Sequence, residues 1–560
     1  MPPPLRFKPA PGPDDFRVLR EEGYYFVDKS RLIAELLALP DKVILLPRPR
    51  RFGKSLNLSM LAEWFRSGTE NLHLFEDLAI MDASPEVLAT RGRHPVIHLS
   101  LKDARKLSWE VCLTELRLQV YRACRAHPYL QDSAALSQRD RDGFSRLMDG
   151  TASQGELESS LGLLTGWLQA HHGQPAVVLI DEYDAPIEAG YAHGYYEQVV
   201  NYLRNWMSAG LKTNPHLYRG VLTGVRRVSK ESLFSGLNNV RVFSLLDSPF
   251  ATAFGFVEEE VRALLTAADR VADMEAVKDW YNGYQFCGAM VYNPWSVLCY
   301  ARDGIIKPYW LQTSSDELLR RLIPSNSVGL RGPFETLLTG GTIEAVLDDH
   351  VVLRDLEASP AALWSFMLTA GYLGAVGVRW VEGEAVATLT IPNREVRIAW
   401  RSQFHHWLSL SFHDRREDLD ALFNALFSGD TVTLRRMLQD MVKTALSFHD
   451  TRMREPERVY QAFVLGLLVW LEPRYIVRSN RESGYGRADV LIIPRRPGDP
   501  GVVLEFKQVW TREGEAPDAA LDSAHAQIEA RDYAAELVAA GATPIQKIAI
   551  VFTGKRVWVR

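Results

Sequence analysis

Four short apolar runs, VILLP (43–47), PVIHLSL (95–101), AVVLIDE (176–182) and YRGVLTGV (218–225), punctuate the first half of the chain. Long helical patterns separate them: LNLSMLAEWF (56–65), WEVCLTELRLQVYRAC (109–124) and HGYYEQVVNYLRNWMSAGL (193–211). A strand that is apolar along its whole length must be covered on both faces, and strands alternating with helices make βαβ units. A parallel sheet flanked by helices is therefore expected over residues 14–255. The loop after the first run narrows its use. RPRRFGKS (48–55) leads from VILLP into a helix, and its Gly53-Lys54-Ser55 end suits a phosphate-binding loop. Backbone N–H groups and the helix N-terminus would hold phosphate oxygens, Lys54 would reach the terminal phosphates, and the Ser55 hydroxyl would bind Mg²⁺. A side chain at Gly53 would block the phosphates.

The first glycine of the general loop motif would fall at position 48, where Arg48 stands. The Arg48-Pro49 pair predicts a stiffer turn, with the N–H cradle running from Arg50 through Arg51, Phe52, Gly53 and Lys54 to Ser55. At least one of Arg48, Arg50 and Arg51 is expected to contact phosphate or nucleic acid. The partner of such a loop is an acid at the end of a later strand. VVLIDE supplies Asp181 for the Mg²⁺ shell and Glu182 to orient or deprotonate the attacking water.

A second α/β pattern starts near residue 450: helix RVYQAFVLGLLVWL, strand ADVLIIP, strand GVVLEFK, helix AALDSAHAQIEARDYAAELVAAG and strand KIAIVF. Asp489 opens one strand, and Glu505 and Lys507 follow it by 16 and 18 residues on the next. Two residues apart on a strand, Glu505 and Lys507 project from one face. Two carboxylates and an ammonium then meet at one point, which suits Mg²⁺ or Mn²⁺ on a scissile phosphate. Lys507 would position a water or neutralise charge growing on the phosphate. An acid and a lysine at the end of an apolar central strand are costly unless paired or metal-bound.

Between these regions, residues 256–400 carry helical segments and a hairpin, VGVRWVEGEAVATLTI (376–391), turned at Glu382-Gly383. At 560 residues and 47% apolar, the chain is long enough for about three or four domains, each with its own core. No apolar run approaches the ~20 residues of a membrane span. Four cysteines without a C-x-x-C fit free thiols in a cytoplasmic protein. A formal net charge of −5 means that any nucleic-acid contact comes from local basic patches such as RPRR, RRV and RSNRES.

YYFVDKS (24–30), RPRRFGKSLNLSML (48–61), VLIDEYDAPI (178–187), LTGVRRVSKESLFSGLNN (222–239), WYNGY (280–284), YNPWS (292–296) and IPNREVR (391–397) occur in this order. In them the chain resembles the bacterial AAA-ATPase-like family, whose members usually end in a PD-(D/E)XK nuclease domain. In that family the loop itself reads RPRRFGK[ST], so Arg48 matches the family. Residues 1–13 are Pro-rich and are expected to form a disordered tail; the resemblance implies a P-loop NTPase domain over 14–255, a helical lid and winged-helix-like region with linker over 256–445, and a restriction-endonuclease-like α/β domain over 446–560. It makes Arg227 a sensor of the γ-phosphate or a finger reaching a neighbouring subunit, the alternative being a salt bridge capping the strand. Asp28 and Lys29 would line the mouth of the nucleotide site. WYNGY and YNPWS would pack the lid. In the nuclease domain it adds Glu457 as a further metal carboxylate and Gln527 beside the metal site. Tyr533 follows Gln527 by six residues, not the four of the Q-x-x-x-Y pattern of related nucleases.

The expected protein is thus an ATP-hydrolysing, Mg²⁺-dependent nuclease of nucleic acid, DNA before RNA, in anti-phage or mobile-element defence. It would be a homo-oligomer if Arg227 acts in trans, with no membrane partner. The alternatives are a nucleotide-controlled switch of the STAND type with the nuclease as effector, and a nucleic-acid-binding ATPase with an inactive nuclease fold.

Overall fold

The computed structural model describes residues 8–9, 11–225, 239–310, 333–334, 336–338, 340–348, 356, 359–400, 416–445, 464, 468, 471, 474–483, 486–509, 516–530, 532–553 and 556–560. Two compact units emerge: Met1–Ser315 with Glu344–Ile398, and Asp316–Ile343 with Ala399–Arg560.

In the first unit, β1 (Val43–Pro47), β2 (Val96–Ser100), β3 (Ala176–Asp181), β4 (Leu217–Gly224) and β5 (Val240–Val242) form a parallel sheet in the order β2-β3-β4-β1-β5. Every residue of β1 and β3 is buried, as strands covered on both faces require. Because all strands run one way, the loops leaving β1, β2, β3 and β4 gather at one edge, where open α/β sheets bind ligands. The helix after β1 spans Lys54–Phe65. Of the residues expected in a loose tail, 8–9 and 11–13 are placed, and the Tyr25 N–H donates to the Lys8 carbonyl at 3.0 Å.

The rest of this unit is pinned by buried polar side chains. β6 (Tyr284–Phe286) and β7 (Ala289–Val291) pair as a short hairpin, and β8 (Ile343–Leu347), β9 (Gly374–Val381) and β10 (Glu384–Thr390) form a sheet in the order β8-β10-β9. Glu382 and Gly383 turn β9 into β10 with φ of 51° and 90°, the left-handed pair that a two-residue hairpin needs. Asn293 caps the helix Pro294–Asp303, and Ser296 on that helix donates to Glu395 at 2.8 Å. The Asn393 amide donates to the Asn282 carbonyl at 2.7 Å. WYNGY, YNPWS and IPNREVR are thereby held together.

In the second unit, β11 (Tyr475–Ser483), β12 (Gly486–Pro494), β13 (Gly501–Gln508), β14 (Ile545–Thr553) and β15 (Arg556–Val559) lie in sequence order. The sheet is mixed: β13 and β14 are parallel, and the other neighbours antiparallel. The long helix expected over 519–541 is two helices, Pro517–Ala530 and Ala535–Ala539. Asp532 adopts a φ of 51° between them, and the chain turns so that Tyr533 enters the core with Leu491, Ile493 and Val503.

Candidate functional sites

The first site forms where β1 becomes the helix Lys54–Phe65. Gly53 caps that helix with a φ of 82°, and a Cβ built there meets no protein atom within 4 Å, so it would occupy open cleft. Among the described residues the N–H groups of Arg51, Phe52 and Gly53 donate to no backbone carbonyl, as an anion cradle requires. The Lys54 ammonium, buried, donates instead to the carbonyls of Arg48 and Pro49 at 3.0 and 2.8 Å. Burial lowers its pKa, opposed by the charges of Glu182 and Asp181.

Asp181, at the end of β3, is the hub. Its carboxylate accepts from the Ser55 hydroxyl at 2.5 Å and from the Thr223 hydroxyl at 2.5 Å. Glu182 leaves the strand with a φ of 49°, a left-handed conformation costly for a residue with a Cβ. Burial raises its carboxyl above the usual range, helped by the Asp181 charge and opposed by Lys54 and Arg105. Lys54, Ser55 and Glu182 line a cleft of about 550 Å³, whose lining also includes Tyr25, Phe26, Phe256, Trp295 and Leu298.

The three loop arginines diverge. Arg48 is 0% exposed, and its guanidinium donates to the carbonyls of Pro47 and Phe243, both at 2.8 Å, and lies over the rings of Phe254 and Phe286. Burial lowers it to about 10, so it stays charged at neutral pH. Arg51 lies over the Trp295 ring, 4.1 Å from its centre, and Arg50 pairs with Glu188 at 3.4 Å. The Phe52 side chain is buried against Tyr284 and Phe286, leaving its backbone to the loop. Lys29 lines the cleft and pairs with Glu260 at 2.7 Å, whereas Asp28 accepts from the N–H groups of Ser30 and Ala79. Arg227 lies outside the described residues.

Sequence reasoning passed over Thr223 and Arg105. The signal was present for both: a hydroxyl at the end of the LTG strand, and a basic residue just beyond β2 in LSLKDAR.

The second site lies on the face of β12 and β13 covered by the helix Pro517–Ala530. Val490 pairs with Leu504, so Asp489 and Glu505 are neighbours across the strands. Asp489 accepts from the Phe506 N–H at 2.8 Å, and Lys507 donates to Glu505 Oε1 at 3.2 Å. Glu505 is 1% exposed, and among the described residues its Oε2 has no hydrogen-bond partner. Burial raises its pKa to about 7, reinforced by the Asp489 charge; burial also raises Asp489, opposed by the Phe506 N–H and Lys507. A buried carboxylate oxygen without a donor, beside a second carboxylate, fits a hard divalent cation. Among the described residues no third His, Cys, Asp or Glu completes a metal cluster, and Glu457 lies outside them. Gln527 donates to the Tyr533 hydroxyl at 3.2 Å, so the six-residue spacing still brings the two together across the helix break.

A phosphate-loop α/β domain is thus joined in one chain to a mixed-sheet domain carrying a D…E-x-K constellation. The family model described as "Predicted AAA-ATPase" matches residues 11–234, and that of the PD-(D/E)XK nuclease superfamily matches residues 455–560. A relative from Azotobacter chroococcum mcd 1, "Uncharacterized protein in vnfD 5'region", is 30% identical over 397 residues, covering 69% of this chain and 67% of its own length. The chain belongs to the AAA-ATPase-like family and carries a C-terminal domain of the PD-(D/E)XK nuclease superfamily. Among the described residues no helix is long and apolar enough to cross a membrane.

Proposed function

We propose that the protein hydrolyses ATP and cleaves nucleic acid with a divalent metal, DNA before RNA. The convergence of Lys54, Ser55 and Glu182 on one cleft, with Asp181 bonded to Ser55, carries the first half. Lys54 and the loop N–H groups would hold the phosphates, and Ser55 and Asp181 the Mg²⁺ that accompanies them. Glu182, its carboxyl raised by burial, would accept the proton of the attacking water. The aromatic and apolar residues of the cleft lining suit a nucleobase. In the nuclease domain, Asp489 and Glu505 would hold Mg²⁺ or Mn²⁺, which would polarise the scissile phosphate and lower the pKa of a water. Lys507 would orient that water, and Gln527 would border the site. Glu457 as a third carboxylate, and Arg227 in cis or in a neighbouring subunit, remain proposals from sequence, as do the four-part domain division, a cytoplasmic location and a defence role.

The test incubates purified protein with plasmid, linear and single-stranded DNA and with RNA, with and without Mg²⁺ and ATP. Metal-dependent cleavage that disappears in Asp489→Ala supports the nuclease reading, and unchanged cleavage refutes the site. Lys54→Ala should abolish nucleotide binding and turnover; retained turnover refutes the loop.

A further inference from the structure

Arg105 belongs to none of the motifs that brought out the nucleotide site, yet it lines the same cleft as Lys54, Ser55 and Glu182. It follows the short turn Lys102–Ala104 after β2, whose last residue, Ser100, lies in register with Asp181. The loop after β2 therefore sits beside the acids at the end of β3.

Its guanidinium is held by Glu188, on the helix Ala185–His193 that follows those acids, at 2.9 Å. Arg50 reaches the same oxygen, Glu188 Oε2, at 3.4 Å. Two guanidinium groups thus converge on one carboxylate. Both side chains are only partly exposed, at 32% and 23%, so solvent screens their charge incompletely. A guanidinium presents paired donors that match two phosphate oxygens, which a lysine cannot do. Lys54 comes to the cleft from the phosphate loop, and Arg105, from the loop after β2, is a second cation lining the same cleft as Glu182.

We propose that Arg105 is this cation: it contacts the terminal phosphate of a bound nucleoside triphosphate, with Glu188 positioning Arg105 and Arg50 at the cleft. The proposal rests on the nucleotide reading above and adds the residue that tells a triphosphate from a diphosphate. No covalent step is assigned to Arg105; it neutralises charge on the terminal phosphoryl as that group departs.

The experiment measures ADP and ATP affinity by calorimetry, and Mg²⁺-ATP turnover, in the full-length protein and in Arg105→Ala, Arg105→Lys and Lys54→Ala. Arg105→Ala should leave ADP affinity within about threefold, which also reports a folded site. It should lower turnover by about a hundredfold, below the range seen when arginine fingers are removed. Arg105→Lys should recover only part of this, and guanidinium ion added at millimolar concentration should partly restore Arg105→Ala. Equal weakening of ADP and ATP, or turnover within threefold of the parent, overturns the proposal for Arg105. Retention of nucleotide binding by Lys54→Ala would instead overturn the nucleotide site itself, so the two failures are distinguishable.

Discussion

Arg48 stands where a phosphate-binding loop usually has glycine, and its side chain points away from the cleft into the protein. It ties the end of β1 to the segments at Phe243 and Phe250 through their carbonyls. Arg48→Ala should therefore act through folding: the buried Pro47 and Phe243 carbonyls lose this donor, at about 1–3 kcal/mol each, while that of Phe250 keeps the Ala253 N–H. The expected outcome is a lowered thermal midpoint, with no rescue by Arg48→Lys because one ammonium cannot span the fork. A midpoint unchanged in Arg48→Ala would refute this role. Glu395 gives a pH prediction at the same scale. It is wholly buried, accepts from Ser296 and from the Trp310 N–H, and burial raises it from 4.5 to about 7. Between those values the folded chain holds a proton that the unfolded chain has released. Its contribution is thus complete below about pH 4.5 and is lost as pH rises through 7, with a slope of at most ~1.4 kcal/mol per pH unit. Melting curves at pH 5 and pH 8 should show this decline flattened in Glu395→Gln; an unchanged pH dependence would sink the assignment.

Two glycines separate folding from binding among the elements. Gly283, in WYNGY, has a φ of 92°, and a Cβ there would lie 1.8 Å from the Pro392 carbonyl oxygen. Gly283→Ala must push the WYNGY and IPNREVR segments apart, and a loss of ~3 kcal/mol or more is expected by thermal denaturation. Gly53 has a similar φ but open space around its Cβ. Gly53→Ala should cost only the backbone strain, ~1–2 kcal/mol, while reducing nucleotide affinity severely, as calorimetry would show. Similar stability losses in the two variants would contradict this distinction. The elements also show where the chain's pattern was readable. VILLP and AVVLID announce buried parallel strands because they lack polar interruptions, and Glu382-Gly383 announces its hairpin because two left-handed residues in succession have few other uses. The break at Asp532 was not legible: AQIEARDYAAEL keeps a helical pattern, and the gain from seating Tyr533 in the core comes from residues far away in sequence.

For the whole molecule, the two sites lie in separate compact units, each with its own sheet. Asp489→Ala should therefore leave ADP affinity within twofold of the parent while removing nucleolysis, measured on the same preparation. A larger loss of ADP affinity would show that the second site is needed to form the first. Loop, acids and D…E-x-K constellation were legible from sequence because each chemistry needs particular residue types a few positions apart on a strand or its exit. RPRRFGKS, VVLIDE, Asp489 and LEFK are local strings of this kind. Tertiary structure decided what depends on distant partners. It buried Arg48 under Phe254 and Phe286, joined Thr223 to Asp181, brought Arg105 and Arg50 to Glu188, and left Glu505 Oε2 without a donor among the described residues. Spacing along a strand fixes which side chains share a face, but burial and charge depend on what the rest of the chain packs against them.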